Sequence, residues 1–78
     1  MNNTIQLPPL TAVIEFSEKY YVAHCPELDV TTQGETMEEA GRNIQEAVEL
    51  LLEYSDDIEL ARRLGRGVSI RPLHLANA

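Results

Sequence analysis

From Leu10 the chain alternates, with Leu10, Ala12, Ile14 and Phe16 on one side and Thr11, Val13 and Glu15 on the other. A period of two marks a strand with one buried face. The polar segment Ser17-Glu18-Lys19 turns the chain, and Tyr20–Cys25 (YYVAHC), rich in aromatic and small apolar residues, predicts a second strand and a hairpin, although no Asn-Gly pair marks the turn. Pro26 ends that strand, because it has no amide hydrogen to give. Leu28, Val30 and Thr32 then alternate with Asp29, Thr31 and Gln33 as a third strand, and Gly34 closes it, freeing the backbone for a turn.

The period then changes to that of a helix. Thr36-Met37-Glu38-Glu39 is a capping box, in which the Thr36 hydroxyl accepts from the Glu39 amide and the Glu39 carboxylate reaches back. Met37, Ala40, Ile44, Ala47, Val48, Leu51 and Tyr54 form one apolar stripe, and Glu38, Arg42, Glu46, Glu49 and Glu53 fall opposite. The helix is expected from Thr36 to about Tyr54. Ser55-Asp56-Asp57 either caps a short second helix closed by Gly65 or continues the first with a kink. After Gly67, Val68–Leu73 (VSIRPL) predicts a fourth strand, at a sheet edge because Pro72 lacks a ladder donor.

The resulting order, β-β-β-α-β, is an α+β fold. A right-handed crossover places the fourth strand parallel to the first, giving a four-stranded sheet with one main helix packed on one face. The other sheet face carries Thr11, Val13, Glu15 and Arg71 and has no cover of its own.

Length changes this picture little: 78 residues make one domain, 1–78, with residues 1–9 expected as a loose arm because Pro8 and Pro9 do not suit a sheet interior. So short a chain has a thin core and often gains stability by oligomerising. Charge changes it more. Thirteen acids against six lysines and arginines give a net charge of −7. Binding to a nucleic-acid backbone needs a basic footprint, so direct binding is not expected. A basic protein partner suits the charge better. The one cysteine excludes an intrachain disulfide, the first ten residues lack the pattern of a leader, and no apolar run reaches the ~20 residues of a membrane helix. A reducing, cytoplasmic setting is expected.

Three stretches stand in a distinctive order: YYVAHCPELDV (Tyr20–Val30), QGETMEEA (Gln33–Ala40) and NIQEAVELLLE (Asn43–Glu53). In that order and spacing the chain resembles the HicB family of antitoxins over roughly residues 10–73. The resemblance implies a partial ribonuclease-H-like fold with the order derived above. It also implies a non-enzymatic protein that binds and masks a small basic ribonuclease, the HicA-type toxin. Many members carry a C-terminal DNA-binding module. Here no such module is expected after the last strand, which leaves autorepression by this chain alone unsupported.

A ribonuclease-H-like fold raises metal-dependent nuclease chemistry, which needs several carboxylates from different strands around Mg²⁺. Glu15 and Glu39 are the nominal pair, but Glu39 is committed to the cap and VSIRPL supplies no acid. Neither a cofactor nor a metal is expected. Cys25 beside His24 suggests a thiol nucleophile only until strand geometry sends the two side chains to opposite faces. His24, Cys25, Glu27 and His74 match no recurrent zinc spacing. No catalytic residue is therefore assigned. Pro26, Gly34, Thr36 and Glu39 are read as structural, and Glu46, Glu49 and Glu53 as the partner-contact residues. Two functional readings follow: an antitoxin, or a solitary homo-oligomeric scaffold or regulator without a toxin. A homodimer is expected under both.

Overall fold

A computed structural model describes residues 7–76. Three strands, β1 (Val13–Ser17), β2 (Tyr20–Cys25) and β3 (Val30–Gly34), form an antiparallel sheet in the order β1-β2-β3. Two helices follow, α1 (Met37–Tyr54) and α2 (Asp57–Leu64). The fold is thus a small α+β unit, with α1 laid across one sheet face, chiefly over β2 and β3.

Register follows the alternation. Val13 pairs with His24, Glu15 with Val22 and Ser17 with Tyr20, while β2 meets β3 through Val22 with Gln33 and His24 with Thr31. These residues share the open face. Ile14, Tyr21, Ala23, Cys25, Val30 and Thr32 face the helix. The hairpin closes over two residues, Glu18 and Lys19, and Glu18 takes a left-handed φ of 58° in place of the missing glycine. Phe16 and Tyr21, paired across the strands, meet edge to face at 5.1 Å.

The core is small: Ala23, Cys25, Leu28, Ala40 and Ile44 are buried together, with Leu10, Val48, Leu51, Leu52 and Leu64 packed around them. Met37 and Tyr54, which the helical stripe placed inward, face solvent at 51% and 78% exposure, as the first and last residues of α1. The Thr32 hydroxyl is buried without a hydrogen-bond partner among the described residues.

One open alternative is settled and one expectation is revised. Of the two courses left to Ser55–Asp57 the chain takes the separate helix: Asp56 caps it by accepting from the Glu59 amide at 2.9 Å, and Gly65 closes it. The fourth strand, expected over Val68–Leu73, is not in the sheet. That segment belongs to no helix or strand and pairs with none of the described strands, and Val68, Ile70 and Leu73 are 40%, 53% and 84% exposed. The four-stranded sheet with one main helix is accordingly, among the described residues, a three-stranded sheet with two helices. Between α1 and that segment stands α2, with Leu60 buried and Leu64 packed on the core. Of the arm expected over residues 1–9, residues 1–6 lie outside the described part. Residues 7–12 belong to no element, yet Leu10 packs on the core.

Candidate functional site

The stretch Cys25–Ala40 joins sheet to helix, and every side chain in it that invited a chemical reading has a structural partner. The cap forms as the sequence predicts, with the Glu39 amide donating to Thr36 Oγ1 at 3.0 Å. Glu39 reaches back one residue further than a capping box requires, accepting from the Glu35 amide rather than from Thr36. Gly34 acts by close approach rather than by backbone freedom. A Cβ there would lie 2.5 Å from the Ala40 nitrogen, and Gly34 is not among the glycines of positive φ. Pro26 stands just beyond β2, where a residue without an amide hydrogen costs the ladder nothing.

The loop after Pro26 is more tightly built than its sequence suggests. Leu28 is fully buried, and Asp29 turns the chain at φ 60° while its amide donates to the Cys25 carbonyl at 2.8 Å. The Glu27 carboxylate accepts from the Thr11 amide at 3.0 Å and from the Thr11 hydroxyl at 2.7 Å, which ties the segment before β1 to this loop. Desolvation works to raise the Glu27 pKa, but the Thr11 bonds outweigh it and hold the carboxyl below its ordinary range. The Arg63 guanidinium of α2 donates to the Leu28 carbonyl at 2.8 Å and is held by Glu59 at 2.9 Å. Glu59 is held low by Arg62 and Arg63. Neither Thr11–Glu27 nor Arg63–Leu28 is visible in sequence, because each bridges residues far apart in the chain with no periodic signal.

Cys25 is buried on the helix side, while His24 lies on the open face with Nδ1 2.7 Å from Thr31 Oγ1. The pair therefore diverges as strand geometry requires. Burial pushes the Cys25 thiol up, and it donates weakly to Glu27 at 3.4 Å. A neutral, enclosed thiol is a poor nucleophile. Glu15 lies on the open face of the sheet, whereas Glu39 lies on α1, which packs against the other face. Among the described residues no group of three His, Cys, Asp or Glu is placed to hold a metal.

What remains exposed is charge and shape. Glu46, Glu49 and Glu53 lie along the outer side of α1, all exposed. Glu49 accepts from the Gln45 amide group at 3.1 Å, whereas Glu46 and Glu53 have no hydrogen-bond or ion-pair partner among the described residues. Glu38 and Arg42, four residues apart on α1, form no ion pair, and the described ion pairs are both in α2. Along the β1 side of α1 runs an open cleft of about 300 Å³, lined by Leu10, Ala12, Ile44 and Val48 with Gln45 and Glu49 at its rim. No helix of the described chain is long and apolar enough to cross a membrane.

Among curated proteins, the chain is 41% identical over 70 residues to a protein of Helicobacter pylori (strain J99) called "UPF0150 protein", an alignment that covers 88% of this chain and 97% of that one. No protein-family model matches the chain, and no solved structure does.

Proposed function

The chain belongs to the UPF0150 family, and on that premise we propose that it is a HicB-like antitoxin, a non-enzymatic protein that binds and neutralises a small basic HicA-type ribonuclease. The observation that carries this reading is the acidic face of α1, where Glu46 and Glu53 have no partner among the described residues and Glu49 stands between them. Three carboxylates on one exposed helical face, in a chain of net charge −7, offer complementary charge to a basic surface and speed encounter with it. The order of the CPEL loop, the GETMEEA cap and the amphipathic helix supports the same reading. On it, the fold is the partial ribonuclease-H-like one, whose fourth strand is supplied by Val68–Leu73. Inhibition is steric: the antitoxin covers the toxin's RNA-binding or catalytic surface, and no cofactor takes part.

The experiment is to co-express the chain with the small basic protein encoded beside it. Co-purification at equal stoichiometry, with loss of the partner's RNA cleavage, supports the reading. A neighbouring ribonuclease whose toxicity persists and which does not bind overturns it. The second reading, a solitary homo-oligomeric scaffold, is favoured by the uncovered β1 edge. It predicts a stable assembly of this chain alone and no toxin partner.

A further inference from the structure

The first strand is an edge. Among the described residues β1 pairs only with β2, so one full row of its backbone donors and acceptors meets no strand there, an arrangement that invites another strand. Beside that edge the sheet is also incomplete in depth. α1 sits over β2 and β3, and the space it leaves on the β1 side is the apolar cleft between Leu10 and Ala12 on one wall and Ile44 and Val48 on the other.

The segment after α2 has the form of the missing piece. Ser69 and Arg71 lie on one side of it, joined by a 2.9 Å bond from Arg71 Nε to Ser69 Oγ, which leaves Val68 and Ile70 on the other. Both apolar side chains are exposed, as is Leu73. This segment does not fold back onto its own sheet. The radius of gyration is 14.7 Å, against about 11.5 Å for a compact chain of this length.

We propose that Val68–Leu73 of one copy adds to the β1 edge of a second copy, parallel to it, and that the exchange is mutual. With Arg71 beside Glu15, Ile70 comes beside Ile14 and Val68 beside Ala12. The two apolar side chains then enter the cleft, and the guanidinium meets the Glu15 carboxylate on the open face. Pro72 falls in the set of residues with Val68 and Ile70, which puts its missing donor on the side away from the β1 ladder and closes the new edge to further strands. Each sheet gains its fourth strand from its neighbour, and the symmetry is the two-fold one in which the same surfaces serve both copies. The inference is independent of the toxin reading: a chain that pairs this way without ever meeting a ribonuclease leaves it intact.

The test uses two tagged versions of the full chain of different mass, one Glu15→Cys and the other Arg71→Cys, each in a Cys25→Ala background. They are mixed, allowed to exchange subunits and oxidised. A disulfide-linked heterodimer is the expected product, since residues beside each other on adjacent strands meet the Cα separation of a disulfide. In unmodified protein, Ile70→Asp is expected to raise the dimer dissociation constant by about tenfold or more, as loss of a buried apolar anchor does. Its circular dichroism as a monomer should be unchanged, because Ile70 is more than half exposed and lies outside every described helix and strand. A doubly substituted chain that cross-links only within itself overturns the proposal in favour of closure by the chain's own segment. A dimer without the cross-link and indifferent to Ile70→Asp overturns it in favour of another interface. A monomer by light scattering overturns it outright.

Discussion

Arg63 Nη1 donates to the Leu28 carbonyl oxygen at 2.8 Å across 35 positions of sequence. The bond carries the end of α2 to the loop between β2 and β3, and Leu28 itself fills the core beneath it. A charged donor on a half-buried carbonyl is worth about 1.5–3 kcal/mol. Arg63→Met keeps the aliphatic stem and removes the bond. It is expected to destabilise the domain by about that amount in urea denaturation, and to speed amide exchange in α2 more than in α1. Equal exchange in the two helices shows that α2 is held by apolar contacts instead.

Two glycines make a matched pair. Gly34 faces the Ala40 backbone so closely that Gly34→Ala forces α1 off β3, and a loss of about 2–4 kcal/mol is expected, in the range of severe overpacking. Gly41 lies inside α1, and a Cβ there meets Ile14 Cδ1 at 3.6 Å, an ordinary contact. Gly41→Ala should therefore stabilise by about 1 kcal/mol through helix propensity alone. Thermal denaturation of the two variants side by side checks both signs.

The contrast explains how much of the structure the sequence disclosed. The β2 limits, the Thr36 cap and the Gly65 stop are local features, and each was legible because a short stretch carries its own signal. The exposed carboxylates Glu46, Glu49 and Glu53 were legible as a face for the same reason. The need for Gly34 was legible but its cause was not, since the crowding comes from Ala40, brought near only by the fold. The fourth strand shows the limit of pattern reading: VSIRPL alternates as a strand should, but alternation says nothing of which edge, or whose, the strand joins. The Arg63 and Thr11 bonds left no trace in sequence at all.

Cys25 and Glu27 give stability a pH dependence of opposite sign. Cys25 has its pKa raised by burial, so the unfolded chain releases this proton first, near the ordinary value of 9.0. Its contribution is therefore full below that pH and is lost as pH rises beyond it. Glu27 is lowered: desolvation opposes, but the Thr11 bonds prevail, so its contribution is present above the ordinary 4.5 and is lost as pH falls through the lower folded value. Denaturation midpoints should fall on both sides of a neutral plateau. Cys25→Ala is expected to flatten the alkaline limb, and Thr11→Val the acid limb. In the folded protein a thiol reagent should react with Cys25 only at the rate of opening.

The acidic stripe is tested most directly by rate. Changing Glu46, Glu49 and Glu53 together to glutamine keeps shape, and keeps an acceptor for Gln45, while removing three charges from one face. If that face receives a basic toxin, association slows by about tenfold at low salt, and the difference shrinks as salt screens the field beyond the ~8 Å Debye length of physiological buffers. Dissociation changes less, because rim charges act chiefly on encounter. Folding should not suffer: Glu49 and Glu53 stand four residues apart and repel, so their neutralisation is worth a few tenths of a kcal/mol in favour of the helix. Stopped-flow mixing with the partner at two ionic strengths reads all three quantities. Association unchanged at low salt removes α1 from the docking surface and leaves the charge as a solubility device.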